Sequence, residues 1–584
     1  MRKVVDIEKD IKKEISKDIT CTQWHSSVLL EGVVDTWDEV VLAGKIAAKG
    51  GYKGVVNKLE VKNLNIPDMK KPLISDNILD KKRVDVLIIG GGITGASIAR
   101  ELSKWNVSIL LVDKEEDLAI HASSRNDGMI HPGISPKPGS KRAKFNVKGN
   151  KMYSRIAKEL DVPFRRIGSL ILFDKKFMRL AMPFIKRRAK LNGIEGIEYL
   201  NRKKILELEP SITENITGGF YIPSTGVLSP YKMTIAYGEN AVLNGVEISF
   251  NTLVKSMEKK HGKIISVKTN RGTICPKVVI NAGGIYSDKI ADMADDMFFT
   301  IHPRKGEIIL IDKKKGELLD TVVAKPSIGS TKGNTKGGGI VKTIDDNLLI
   351  GPDAYEQPYR EDYTTNRDNI SNLMEKFLPL LPKLSSKDVI TYMAGTRAST
   401  YEEDFIIEAS EYVANLIHAA GIQSPGLASA PAISEEIEKI TIEKLSKITN
   451  VKRKENWNPI RKGIPRLNDM DIGKRNKFIK NNPNYGEIVC RCEEISKGEI
   501  IEAIHAPIPA KTVDGIKKRV RPGMGRCQGG FCMPFITKII EDELGTDMTK
   551  ITKKGKGSEL LVNKTKDNNI YESREVGGQE HERV

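Results

Sequence analysis

Long apolar runs are missing from this chain. None approaches the roughly 20 residues that cross a bilayer. The opening MRKVVDIEKDIKKEI is charged throughout, with no apolar core for a signal peptide. The expectation is a cytoplasmic protein without a transmembrane segment, and attachment to a membrane surface stays open. Cysteine is scarce, and six in 584 residues argue against a disulfide framework. A compact arginine-rich block is also absent. Lys and Arg exceed Asp and Glu by 18, yet the basic residues are spread along the chain and are mostly lysine. That pattern describes a solvated surface and not a nucleic-acid site. The rest of the composition is that of a globular protein, 39% hydrophobic and 29% charged. The length allows roughly three or four domains.

The most informative stretch is VDVLIIGGGITGASIAR, residues 84–100. Residues 84–89 read as a buried parallel strand. They run into Gly90, Gly92 and Gly95 at GxGxxG spacing, then into a helical pattern. In such a turn one glycine makes the bend, one admits a pyrophosphate and one lets helix and strand pack closely. A second strand, 107–112, ends at Asp113, at the distance of about 20 residues where a carboxylate accepts from ribose hydroxyls. The expectation is a dinucleotide site on an α/β sheet. The loop that comes next, HASSRNDGMIHPGISPKPGS, concentrates Ser123, Ser124, Arg125, Asn126 and His131, and loops placed on a rigid sheet carry function.

Taken in order, residues 1–65 read as a small α+β unit of helix, strand, helix and strand. Residues 66–82 read as a linker. Helix 144–160 and strands 164–173 and 218–222 begin a β-rich layer. Residues 251–268 read as a strand pair, with Val254 placed for backbone contact to an adenine. A strand ending in Ala282, Gly283 and Gly284 provides a second close approach to the same cofactor. Residues 446–485, rich in Lys and Asn, read as a second linker. In 486–545 four cysteines cluster as Cys490-x-Cys492 and Cys527-x4-Cys532, a ligand set that suits an Fe–S cluster or zinc. Cys275 is assigned to a core. Residues 546–584 are polar and read as a disordered tail.

Several of these motifs resemble known families. SVLLEGVVDTW and KGVVNKLEV resemble the BON domain, a module associated with binding. The first glycine motif, the SSRNDGMIHPG loop, the INAGG strand and HAAGIQSPGLASAPAI at 418–433 together resemble the FAD-dependent oxidoreductases of the D-amino-acid-oxidase and glycerol-3-phosphate-dehydrogenase superfamily, over residues 83–445. The CxC pair with CQGGFC resembles the bacterioferritin-associated-ferredoxin-like module, which binds a 2Fe–2S cluster.

The resemblance implies a fold in which a Rossmann-like FAD domain is interleaved with a β-rich substrate domain. A small N-terminal α+β module and a small helical Fe–S module complete it. It implies FAD held by Gly90, Gly92, Ile93, Thr94, Gly95 and Asp113, and by Ser123, Ser124, Arg125, Asn126 and Gly128 of the loop. Val254, Ala282, Gly283, Gly421, Ile422, Gln423 and Ser424 complete the cofactor set. Arg397, in the G-x-R position after Gly395, would bind the substrate's anionic group. Lys336 is a second candidate for that anion, His131 a candidate base, and Arg304 a strand organiser. The implied reaction is oxidation of an anionic secondary alcohol, sn-glycerol 3-phosphate to dihydroxyacetone phosphate, with electrons leaving through a 2Fe–2S cluster to a protein partner. L-2-hydroxyglutarate oxidation, amine (proline or sarcosine) oxidation and a non-catalytic electron-transfer subunit stand as alternatives.

Overall fold

A computed structural model of the chain describes residues 1–16, 18–326 and 338–564. It divides into two compact units, Met1–Gly463 and Ile464–Val584. The first is built on the glycine-rich strand. Lys82–Ile89 lies between Ile109–Val112 and Gly272–Asn281 and runs parallel to both. Leu416–Ala420 and Glu247–Ser249 extend the parallel set on either side. Val86, Leu87, Ile88, Val279 and Ile280 are all fully buried, as a parallel sheet covered on both faces requires.

Strand register brings the motif ends together. Ile89 lies opposite Val112 on one side and Asn281 on the other, and Asn281 lies opposite His418. The carboxyl ends therefore finish level, which puts Gly90, Asp113 and Ala282 along one edge. Ligands of open parallel sheets bind outside that edge.

The second layer is a nine-stranded sheet in which His302–Ile311 pairs antiparallel with Val389–Ser399, Arg304 opposite Arg397. The expected single strand 164–173 is two strands. Phe164–Arg166 joins a small sheet with Gly226–Leu228 and Met129–Ile130, while Ser169–Phe173 enters the large one. Gly168, at φ +71°, makes the turn between them, a conformation few other residues adopt.

The N-terminal module has helices Val4–Glu14 and Trp37–Ala48 over strands Thr20–Trp24, Ser27–Val34 and Val55–Val61. Thr36 and Glu39 form a capping box on the second helix. The module is fused to the rest of the first unit. Ser27 Oγ donates to the Phe298 carbonyl at 2.7 Å, Trp24 Nε1 donates to that of Met297 at 3.0 Å, and Tyr401 completes the module's core. Residues 66–81 carry no helix or strand, yet Arg271 pairs with Asp76 at 2.7 Å and Leu79 is buried.

The stretch 446–485 is not one linker. Residues up to Gly463 strap the first unit, where Arg461 pairs with Glu239 at 2.6 Å and Trp457 Nε1 donates to Ser103 Oγ. From Ile464 the chain belongs to the second unit and forms the helix Ile472–Asn481. A few anchoring side chains suffice to order a sequence of linker composition. The same holds for the tail. Ile551 is buried in the second unit's core and Thr552 bridges Glu559, so the expected disorder does not begin at 546. Residues 565–584 lie outside the described residues. Cys275 is half-buried because Ile274 and Pro276 take the inward side of the strand.

Helix Lys141–Glu159 crosses helix Gly426–Ser446 at Gly149, where a Cβ would stand 2.2 Å from the Ala428 carbonyl. Gly149→Val should overpack this crossing and cost about 3 kcal/mol of stability. Thermal unfolding reads this as a lowered midpoint, and an unchanged midpoint would show that the helices yield.

Candidate functional site

At the end of the first strand Gly90 takes φ +115°, and a Cβ there would lie 2.3 Å from the Ala282 carbonyl. A Cβ at Gly95 would lie 1.9 Å from the Gly90 carbonyl. Both glycines are demanded by packing. Gly92 differs, because a Cβ there would meet only Ser123 Oγ, at 3.0 Å. The helix Ile93–Leu102 starts at Gly92 with no cap from that residue, and Ser123 Oγ accepts from the Ile93 N–H at 2.8 Å. Gly92, Ile93, Thr94 and Ser123 thus surround a helix start with its positive end toward the sheet edge, a fit for pyrophosphate. The Asp113 carboxylate accepts from the N–H groups of Gly91 and of Glu115, the latter at 2.8 Å, and burial pushes its pKa up. Its carbonyl accepts from Thr252 N–H at 2.7 Å, just before the strand that begins at the buried Val254.

Most polar groups of the adjoining loop serve the loop itself. Ser124 Oγ donates to the Ile120 and His121 carbonyls, and Asn126 Nδ2 donates to Ala122 at 2.9 Å. Asn126 Oδ1 accepts from the Gly128 N–H, and Gly128, at φ +69°, presses on the Leu228 carbonyl. Arg125 lies over the Tyr363 ring at 4.1 Å. Its backbone passes so close to Gly395 that a Cβ on Gly395 would lie 2.5 Å from the Arg125 carbonyl. The glycine of the G-x-R motif therefore seats the cofactor loop against the strand that carries Arg397.

Arg397 is half-buried, with its guanidinium lying over Gly306. It donates to the carbonyls of Asp353, at 3.0 Å, and of Lys305, at 3.4 Å, and among the described residues it has no carboxylate ion pair. Burial pushes its pKa down, and burial also pushes the carboxyl of Asp353 up to about 6. Arg304, directly opposite, is buried and neutralised by Glu356 and Glu403. The His131 carbonyl accepts from Asn146 at 2.7 Å and Asn150 at 3.0 Å. Lys336 lies outside the described residues.

The third turn closes the site. Gly421 is at φ +63°. Gln423 Oε1 accepts from Arg304 and Ser399, both at 3.2 Å, and its Nε2 donates to Glu403 at 2.8 Å. The Ser424 carbonyl accepts from Arg142 at 2.7 Å. Ile422 packs against Gly426, where helix Gly426–Ser446 starts without a side-chain cap. Motif reading missed Arg142, Glu403, Glu356 and Asn281, whose Oδ1 accepts from Gly283 N–H at 3.2 Å. The available signal was adjacency. Arg142 comes just after the loop, Glu403 just after the Arg397 strand, and Asn281 just before Ala282.

In the second unit the cysteines form two pairs. The sulfurs of Cys492 and Cys527 are 3.6 Å apart, whereas a disulfide needs about 2.05 Å. Interaction with the neighbouring Cys532 thiol pushes Cys490 down to about 6, and the same interaction pushes Cys532 up. Among the described residues no three of the sulfurs lie within 4.8 Å of one another. Zinc bound by four thiolates at about 2.3 Å needs all four to converge. Two pairs instead suit two irons with two thiolates each. A Cβ at Gly525 would lie 2.4 Å from the Cys492 Cβ, and Arg521 pairs with Glu493 at 3.0 Å beside it.

The family described as FAD dependent oxidoreductase matches residues 85–440, and that described as BFD-like 2Fe–2S binding domain matches residues 488–542. The chain is 41% identical over 485 residues to a glycerol 3-phosphate dehydrogenase of Caloramator mitchellensis, covering 82% of this chain and 99% of that protein. It is 32% identical over 385 residues to a glycerol 3-phosphate oxidase of Mycoplasma pneumoniae, covering 64% and 97%. Among solved structures, L-alpha-glycerophosphate oxidase from Mycoplasma pneumoniae with FAD bound superposes with a TM-score of 0.60 at 30% identity, covering 65% and 98%. Cys527→Ser should strip iron and sulfide from protein purified without oxygen and leave the flavin in place. Elemental and sulfide analysis reads this directly, and zinc without sulfide in the parent protein would reject the two-iron assignment.

Proposed function

The chain belongs to the FAD-dependent oxidoreductase family and carries a 2Fe–2S module, and on that basis we propose that it oxidises sn-glycerol 3-phosphate to dihydroxyacetone phosphate. The observation that carries the reading is Arg397. A half-buried guanidinium that, among the described residues, donates only to backbone carbonyls keeps its positive charge, and its planar fork suits a phosphate. Gly92, Ile93, Thr94 and Ser123 would hold FAD, which would supply a hydride acceptor, and Cys490, Cys492, Cys527 and Cys532 would hold a 2Fe–2S cluster, which would supply one-electron transfer.

The chain's own residues do the rest. Arg397 holds the phosphate, with Arg304 and its two glutamates keeping the neighbouring charge neutral. Arg125, stacked on Tyr363, holds the loop against the substrate strand. His131 takes the hydroxyl proton as the carbon loses hydride, so that alcohol becomes ketone. Asn146 and Asn150 fix its backbone for that role. We read the N-terminal module as BON-like and devoted to binding, the electron acceptor as a protein, and the working location as the cytoplasm.

Without oxygen, glycerol 3-phosphate should bleach the flavin, while 2-hydroxyglutarate, proline and sarcosine should not. Bleaching by 2-hydroxyglutarate alone would overturn the substrate assignment. Arg397→Ala should raise KM roughly 100-fold, about 3 kcal/mol of charge-assisted hydrogen bonding, with FAD content unchanged. An unaltered KM would remove Arg397 from the site.

Asp353 gives a pH signature. Below about pH 6 its carboxyl is neutral and leaves Arg397 uncompensated, and above about pH 6 the carboxylate offsets that charge. Affinity for the anion should therefore fall as pH rises through this value. Since a phosphate substrate titrates in the same range, the ratio of wild-type KM to that of Asp353→Asn is the quantity to track. It should be flat below pH 6 and climb above it, and a flat ratio throughout would exclude Asp353.

A further inference from the structure

Among the described residues, one face of the first unit is left exposed and lies outside the site. Residues 174–193, DKKFMRLAMPFIKRRAKLNG, fold as a 3-10 turn, Lys176–Ala181, that runs into the helix Met182–Asn192. Met178, Met182, Ile185 and Ala189 pack inward against Phe173, Phe220 and Ile222. That face already serves the core.

The other side is apolar as well. Phe177, Leu180, Phe184 and Leu191 are 62, 70, 74 and 62% exposed. Their spacing of three, four and seven residues puts them on one helical face. Seven of the twenty residues are Lys or Arg, all exposed, and one is acidic. Among the described residues only Arg188 of the seven has a partner, the carbonyls of Ser135 and Pro136. An apolar stripe set among unpaired cations matches an interface that is anionic outside and apolar beneath.

We propose that this segment seats the protein on an anionic phospholipid bilayer, with Phe177, Leu180, Phe184 and Leu191 entering the acyl boundary and the cations meeting headgroups. The chain's formal net charge of +18 adds long-range attraction. No described helix is long and apolar enough to cross a membrane, so the attachment is peripheral. The proposal does not depend on which alcohol is oxidised.

The test is co-sedimentation of the full-length, FAD-loaded protein with vesicles. The protein should sediment with phosphatidylglycerol–phosphatidylcholine vesicles, remain in solution with phosphatidylcholine alone, and be released by salt. Joint replacement of Phe177→Ser and Phe184→Ser should weaken binding roughly ten-fold, as should joint replacement of Lys186→Glu and Arg187→Glu. FAD content and turnover in lipid-free solution should not change in either. Undiminished sedimentation of the serine variant would overturn the proposal, as would failure of the parent to bind anionic vesicles. It would also fall if the serine changes dissolved a dimer of a parent that ignores lipid, since the stripe would then be the seat of a second copy.

Discussion

The 2.3 Å that would separate a Cβ at Gly90 from the Ala282 carbonyl is the constraint on which the rest of the first unit depends. Two parallel strands end at the same level and nearly touch there, so Gly90 can carry no side chain at that point. The third turn, at Gly421, joins the same edge. Helices leave this edge from Gly92 and from Pro425, neither of which offers a capping side chain. Each turns the positive end of its dipole toward this edge, while Ser123 Oγ takes the Ile93 N–H and the Gln423 carbonyl takes that of Gly426. The cradle is made by backbone, and side chains mainly hold its walls apart.

Charge at the substrate face is settled by strand pairing. Antiparallel register sets Arg304 opposite Arg397, a like-charge pair that is unfavourable when both remain ionised and unpartnered. Glu356 and Glu403 absorb the first. Among the described residues the second donates to backbone carbonyls and has no carboxylate ion pair. The same Glu403 also accepts from Gln423 in the cofactor turn, which ties the substrate strand mechanically to the helix start at Gly426.

The cysteines obey a comparable logic in the second unit. Two pairs, drawn together from turns some thirty-five residues apart in sequence (Cys492 to Cys527), form a divided ligand set that suits two metal ions and not one. Arg521, held by Glu493 at φ +75°, sets a cation close to this thiolate-rich region.

Local sequence determined the glycine turn, the G-x-R arginine and the four thiols, because each is a short motif whose residue types have steric or ligand requirements of their own. It also marked a helix between the strands of the N-terminal unit, which the structure places at Trp37–Ala48. Only the tertiary structure decided which loop groups face outward. Ser123 reaches the helix start, while Ser124 and Asn126 satisfy their own loop. It revealed Arg142, Glu356 and Glu403, whose roles come from partners far along the chain. It ordered residues 446–463 and 546–564, where linker-like composition hides a few anchors such as Trp457, Arg461 and Ile551. And it left the stripe from Phe177 to Leu191 outside. Helical periodicity marks which residues share a face, but whether that face is buried depends on what the rest of the chain sets against it.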